Sequence, residues 1–543
     1  MSFDTHEVFN QPGPLGPINT FACDRTLQAA VRAYRAAWAE ERLRDYGALA
    51  GGELAEHGRL ANRNPPELVT HDPYGRRIDE VAFHPAYHAL MDAGVAHGVH
   101  ALAWEGREGG HAARAALELL HNQADSGTDC PLTMTFASIP SIRANPALAQ
   151  RWEPRILSRR YDPAARPVEE KTGATIGMAM TEKQGGTDVR ANTTRAAPLN
   201  ETVEGGEAFA LTGHKWFCSA PMSDAFLTLA QTQDGLGCFL LPRWRPDGTR
   251  NGLRLQRLKD KLGNRSNASS EVEFDAAFAW LLGEPGRGVA TIIEMVALTR
   301  FNCMVGSTAI MRQAMIQVLH HINRREVSGR KLVDQPLMRN VAADLLLETE
   351  AALWLVFRVA AALDAAPEDA AARRFARLAT ALGKYWICKR APAHVNEAQE
   401  CLGGLGYVEE HVLPRLYREA PVNSIWEGSG NVQCLDLMRA VERDPAVWAT
   451  FLYVLEEARG RHDGYDAALD ALWDAAPVTE AFAARIRAER LALMLQARLL
   501  LEHAPEAVAA AFIAARLEPA TLVYGGLRDP EAADWLLERL EVP

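Results

Sequence analysis

Between Ile176 and Leu282 the hydrophobic period of this chain changes, and that change constrains the fold more than composition does. Phe209 to Phe217, Ala225 to Ala230, Gly237 to Leu241, Leu253 to Leu258 and Ser270 to Phe274 are short apolar or alternating runs, cut by turns such as Asp234-Gly235 and Asp247-Gly248. Alternation of period two marks strands, so a small antiparallel β domain is expected here. On both sides the spacing is helical. Leu27 to Leu43 and Ala112 to His121 repeat apolar residues every three or four positions, between Pro/Gly/Asn-rich loops at Asn10 to Pro17 and Asn62 to Arg77. Val289 to Asn323, Pro336 to Leu363 and Ala370 to Leu402 are long helical segments and Asn431 to Val441 opens a fourth, for which a four-helix bundle is the economical packing. Pro445 to Pro543 is Ala/Leu-rich and again helical. The expected class is mainly α with a middle β domain: an N-terminal helical domain with a leader (1–175), the β domain (176–283), a helical bundle (284–443) and a C-terminal helical extension (444–543).

A chain of 543 residues exceeds what one core supports, and 48% hydrophobic content is ample for several. The net charge of −11 gives no global reason to expect nucleic acid. Met1 to Gln11 carries no Arg/Lys-led apolar run and no stretch is read as long enough to cross a bilayer, so a cytoplasmic protein without membrane contact is expected. Eight scattered cysteines without a C-x-x-C pair read as reduced core thiols. His84 and His88 are four apart, but Pro85 intervenes and no third ligand is in register, so no metal is expected there.

The chemistry concentrates in Gly177 to Arg195, GMAMTEKQGGTDVRANTTR. Gly185 and Gly186 remove side chains where backbone must turn or approach a ligand, and Thr181, Thr187 and Asp188 set short polar groups on either side. This suits a flat polar ligand, although alone it is also an ordinary turn. Gly263-Asn264-Arg265-Ser266-Asn267 lacks the Gly-Lys-Ser/Thr ending and following helix of a phosphate loop, and reads as a turn or surface loop lining a cleft.

Four segments in order resemble the motifs of the acyl-CoA dehydrogenases. Thr181 to Asp188 stands where that family has T-E-P-x-x-G-S-D, Gly213-His214-Lys215-Trp216-Phe217 where it has G-x-K-x-[WFY], Leu402 to Tyr407 matches L-G-G-x-G-Y, and Ile425-Trp426-Glu427-Gly428-Ser429 matches Y-E-G-T. Phe9 to Pro12, Gly58 to Asn62, Pro131 to Phe136, Leu258 to Ser269 and Pro421 to Asn431 carry a further likeness to the branch associated with the response to DNA alkylation. The resemblance implies FAD bound by Met180, Thr181, Gln184, Gly185, Gly186, Thr187, Asp188, Trp216, Phe217, Ser219, Ile425, Trp426, Gly428, Ser429 and Asn431. A flavin takes its orientation and local charge from such a loop and strand, and a helix N-terminus after Ser429 suits pyrophosphate or adenosine. An inward-facing strand aromatic and an ordinary capped helix start would look similar. The resemblance makes Glu427 the base that removes the α-proton of a thioester; the alternative family position is Thr299, before Arg300, which leaves Glu427 unrivalled.

The pattern also departs from the family. Lys183 replaces its Pro, Trp426 its Tyr, Glu400 its Gln and Ser328 the Phe of R-x-x-F-G at Arg325 to Gly329. Trp426 narrows the pocket beside the base, and Glu400 puts an acid where a neighbouring subunit's FAD phosphates are expected. Homotetramer assembly is implied, with Arg325-Glu326-Val327 at an interface position. Two readings follow: a flavin dehydrogenase for a small acyl-CoA, or a DNA-associated protective protein in which FAD is structural or weakly catalytic. Val441 to Pro543 holds ten Arg, no Lys and eighteen acids, a net −8. Duplex DNA would have to use a local stripe of Arg487, Arg490 and Arg498, giving weak and salt-sensitive binding.

Overall fold

The structure, a computed structural model, describes residues 5–473, 480–518 and 521–542. The chain falls into two units, Glu53–Asn302 and Met1–Gly52 with Cys303–Pro543.

In the 53–302 unit, helices Glu53–Arg63, Pro85–His97, Gly110–Ala124 and Ser126–Ala137 precede the sheet. His84 caps the second helix, its ring accepting from Ala86 N, and Pro85 takes the first position, where no amide hydrogen is needed. His88 instead shares a 3.0 Å hydrogen bond with Tyr161. Helix Gly110–Ala124 is buried almost all round rather than on one face. Its Arg114 is satisfied internally: Nε donates to Val99 O at 2.8 Å, and Nη1 to Glu118 at 2.8 Å and Asn302 at 2.9 Å.

Seven strands follow in one sheet. The pairing comes round on itself: Arg195–Val203 pairs with Gly206–Ser219, which pairs with Ser269–Leu282, then Gly235–Pro242, then Ala225–Thr232, which meets Arg195 again at Gln231. Ile176–Ala179 joins Ala225–Thr232, and Leu253–Leu258 joins Ser269–Leu282. The contacts of Ala225–Thr232 with Ile176–Ala179 and with Arg195 are parallel, so the domain is mixed where an antiparallel one is expected. A parallel pair needs a long connection, and the segment from Met180 to Asp224 supplies it. Phe209, Leu211, Phe226, Phe239, Leu241, Leu255, Val272 and Phe274 form the core.

The polar Gly263 to Asn267 segment is not a surface loop. Asn264, Ser266 and Asn267 are buried. Ser266 Oγ bonds both oxygens of Asp125 at 2.9 Å, and Asn264 donates to Ser126 O at 3.1 Å, so these two side chains bond the start of helix Ser126–Ala137. Gly127 permits this approach, since a Cβ there would lie 1.9 Å from Ser266 Oγ.

In the other unit the last part of helix Gly288–Ile322 packs with Pro336–Ala365 and Ala370–Cys401, and Gly430–Arg443 packs on Ala370–Cys401. Helix Gly288–Ile322 is long and apolar enough to cross a bilayer, contrary to the sequence expectation; here Met304, Val305, Ile310, Met311, Met315 and Ile322 are buried in the bundle. Residues 18–52 belong to this unit as well. Asp24 caps helix Arg25–Ala33, pairs with buried Arg312 and bridges to Leu540, tying both ends of the chain together. Helix Ala484–His503 lies on Pro336–Ala365 and Ala370–Cys401, buried on all sides from Leu491 to Leu500. Beyond it, Asp344 accepts from Gly525 N at 2.9 Å, Gly526 N at 3.0 Å and Arg516, and Glu348 accepts from Arg390 and Arg516. None of the eight cysteines is in a disulfide, and all are buried.

Candidate functional site

In the 53–302 unit, the Thr181–Asp188 loop leaves strand Ile176–Ala179 and is fastened at its second residue. Glu182 is fully buried and its carboxylate accepts from Thr193 N (2.7 Å), Thr193 Oγ1 (2.9 Å), Thr194 N (3.1 Å), Thr194 Oγ1 (2.6 Å), Gln184 Nε2 (2.7 Å) and Lys215 Nζ (2.9 Å). Burial pushes its pKa up, but the Thr194, Thr193 and Lys215 donors together outweigh this and hold it well below the usual carboxylate range. At Lys215 burial lowers the pKa against the opposing pull of Glu182. The charged residues of two motifs are thus each other's partner, a pairing that sequence reasoning missed.

The rest of the loop is open. Gln184, Gly185, Gly186, Thr187 and Asp188 are exposed. Gly185 stands at φ +145° with open space where a Cβ would point, whereas Gly186 has no room, its Cβ position being 2.4 Å from Thr181 Oγ1. Trp216 N donates to Thr181 O at 2.8 Å, which lays strand Gly206–Ser219 beside the loop. Phe217 is 49% exposed although apolar, and Lys259 Nζ sits 3.3 Å from the centre of the half-buried Trp216 ring. Ser219 Oγ is 3.2 Å from Ser269 Oγ. Met180 is half-buried, and its carbonyl accepts from Asn192 at 3.0 Å. Thr299 is buried and its hydroxyl turns back onto Val296 O at 3.0 Å.

In the bundle unit, the Ile425–Asn431 loop joins a short turn to helix Gly430–Arg443. Glu427 is half-buried and left-handed at φ +57°, followed by Gly428 at φ +97°. Lys384 Nζ donates to Trp426 O and Gly428 O, both at 2.7 Å, and Gln433 Nε2 donates to Gly428 O at 2.8 Å and Glu427 O at 3.2 Å. Gln433 bears no local signature in the sequence. Trp426 Nε1 is tied to Asn423 at 3.0 Å, and Ile425 is exposed. Ser429 occupies the cap position of the helix without a side-chain cap bond, and Ser429 and Asn431 are exposed. Glu400 is exposed and accepts from Asn396. Asn10 of the leader bonds both the amide and the carbonyl of Glu326, at 2.8 Å each.

The three arginines of the proposed DNA stripe have different fates. Arg490 is exposed and Arg487 half-buried, but Arg498 is buried and paired with both Glu457 and Glu502. A guanidinium between two carboxylates inside the fold is not presented to phosphate.

Comparison with known proteins agrees with this architecture. Residues 10–163 match the adaptive response protein AidB N-terminal domain, 177–277 the acyl-CoA dehydrogenase middle domain and 286–442 the acyl-CoA dehydrogenase C-terminal domain. AidB of Escherichia coli (strain K12) is 50% identical over 476 residues, covering 87% of each chain. Acyl-CoA dehydrogenase family member 11 of Caenorhabditis elegans is 30% identical over 80% of this chain and 72% of its own. Among solved structures, Bd2924 in its apo-form superposes with a TM-score of 0.84 at 28% identity, covering 91% of this chain and 100% of that one. C. elegans ACDH-11 in complex with C11-CoA gives 0.85 at 25% identity over 99% and 93%. Family members are FAD-dependent oxidoreductases, and the cofactor here is FAD. The chain belongs to the acyl-CoA dehydrogenase family and is an AidB-like flavoprotein within it.

Proposed function

We propose that the chain oxidises a small acyl-CoA thioester between its α and β carbons, with Glu427 as the base. The observation that carries this reading is the state of Glu427: a half-buried carboxylic side chain on a left-handed residue, with the carbonyls of residues 426 to 428 held by Lys384 and Gln433. A non-glycine residue held in this region costs roughly 1–3 kcal/mol and persists where the surroundings over-determine it. The residues present fit FAD. The Thr181–Asp188 loop is pinned at Glu182 and leaves Gln184 to Asp188 exposed for a polar ring edge, Phe217 offers an uncovered apolar face, and Ser429 leaves the start of helix Gly430–Arg443 without a side-chain cap. Met180, Trp216, Ser219, Ile425, Trp426, Gly428 and Asn431 complete this proposed set. FAD supplies the acceptor for the hydride that leaves the β carbon. Glu427 takes the α-proton, so that the carboxylate becomes a carboxylic acid as the double bond forms. The C11-CoA complex of ACDH-11 supports an acyl-CoA as substrate, and Trp426 beside the base favours a shorter acyl group.

A second role on DNA is favoured by the AidB likeness. With Arg498 withdrawn, Arg487 and Arg490 remain for it, on a segment of net charge −8. Homotetramer assembly through Arg325 to Val327, the first arm of the Glu326–Lys331 hairpin, and a cytoplasmic location, which suits eight cysteines outside any disulfide, belong to the same reading. The experiment that tests it is anaerobic titration of the purified yellow protein with butyryl-, hexanoyl- and undecanoyl-CoA. Bleaching of the flavin band in the native protein and its loss in Glu427→Gln are expected; bleaching at the native rate in that variant would remove Glu427 as base.

A further inference from the structure

Lys384 lies in the middle of helix Ala370–Cys401, 1% exposed, and its hydrogen bonds go to two carbonyl oxygens. A buried ammonium is expensive unless compensated. Its position shows what it does. The carbonyls belong to Trp426 and Gly428, the residues immediately before and after Glu427, both at 2.7 Å. One cation therefore holds the peptide plane that precedes Glu427, through Trp426 O, and the plane that follows Gly428, through Gly428 O, so the Glu427–Gly428 pair is anchored at both ends. The helix that carries Lys384 is itself a rigid base for the loop. Gly383 lets helix Gly288–Ile322 come close, a Cβ there falling 2.2 Å from Met304 Cε, and Gly430 lets the start of helix Gly430–Arg443 approach Lys389, a Cβ there falling 2.8 Å from its Cε. Gln433 adds a second donor, sharing Gly428 O at 2.8 Å and reaching Glu427 O at 3.2 Å, yet a neutral amide is a weaker tie than an ammonium bond at 2.7 Å.

We propose that Lys384 is the positioning residue of the reaction, a buried cation whose task is to hold Glu427 in its left-handed conformation and so aim its carboxylate. The proposal rests on the reading of Glu427 as base, but its structural half is testable apart from any turnover.

Hydrogen–deuterium exchange of residues 421–433 is measured in the full-length FAD-containing protein, in Lys384→Met, in Glu427→Gly and in the double variant. A residue that is forced to φ +57° against its preference needs the clamp, whereas glycine adopts that angle freely. Lys384→Met is expected to speed exchange at 426–430 by about tenfold or more, and the double variant to return to within about threefold of the native rate. A buried lysine that merely fills space would give the same loss with or without Glu427→Gly, and that result overturns the proposal, as does unchanged exchange in Lys384→Met. Lys384→Gln keeps an N–H donor for one of the two carbonyls and is expected to fall between, and it carries the same comparison if Lys384→Met does not fold. Flavin bleaching by butyryl-CoA is followed alongside: a lower maximal rate with unchanged half-saturation is expected in Lys384→Met. If Glu427→Gln bleaches at the native rate, the base assignment falls while the exchange result still decides whether Lys384 sets the backbone.

Discussion

Lys215→Met removes an ammonium from a carboxylate that water does not reach, and the consequence can be worked out from the contacts. Glu182 is fully buried and accepts six hydrogen bonds from Thr193, Thr194, Gln184 and Lys215. Removing one partner of a buried ion pair costs about 3–5 kcal/mol. The four threonine donors still satisfy part of the charge, so the loss is expected at the lower end, about 3 kcal/mol. The damage should fall on the flavin loop, because Trp216 N and Thr181 O meet beside the pair. A chain of two units need not unfold in one step, so the transition to read is the urea-induced one that releases flavin. The pH dependence has a definite sign. The folded pKa of Glu182 is depressed, so the stability it contributes is present above the ordinary glutamate range and is lost as pH falls toward the folded value. The gap between native protein and variant should therefore be widest near neutrality and shrink on acidification. A midpoint shift worth less than about 1 kcal/mol, with flavin retained, would refute the argument that this pair holds the loop.

Glu427→Gln should keep its flavin band and lose reduction by acyl-CoA, since an amide cannot accept the α-proton; anaerobic absorbance at the flavin band checks it. Arg487→Glu with Arg490→Glu should abolish whatever duplex binding the native protein shows, and that native binding should fall with salt with a slope of about −0.9 per phosphate contact, to a total of no more than about −2. Fluorescence anisotropy at two salt concentrations reads this, and tight binding indifferent to salt would contradict it. Arg516→Met should loosen the 521–542 segment, because Asp344 and Glu348 both lose a buried partner, at a cost of about 3 kcal/mol. Faster limited proteolysis near residue 525, with the flavin band unchanged, is the expected result.

What the sequence made legible followed from local pattern. Period-two runs from Phe209 to Phe274 specify strands because each side chain must choose a face, and they did so without revealing that Ala225–Thr232 takes parallel neighbours as well. The features that hold the site together are instead separations in space. Glu182 and Lys215 are 33 residues apart, and Lys384 is 42 residues from the carbonyl of Trp426, so no local pattern announces either contact. Composition misleads where polar groups satisfy one another inside the fold: Gly263 to Asn267 looks like a surface loop until Asp125 and Ser126 are seen to consume it. Arg498 is the instructive case, because a signal existed. Leu491 to Leu500 reads LALMLQARLL, apolar nearly all round, and a helix of that kind has no solvent face. Its arginine must then be buried, and a buried guanidinium must be paired, which leads to Glu457 and Glu502 rather than to phosphate. The same reasoning applies to Lys384, a charged residue in the run LATALGKYWIC, where the surrounding apolar positions require burial. A lone charge inside an apolar helical run points to a partner elsewhere in the fold, and here the partner is the backbone on either side of the proposed base.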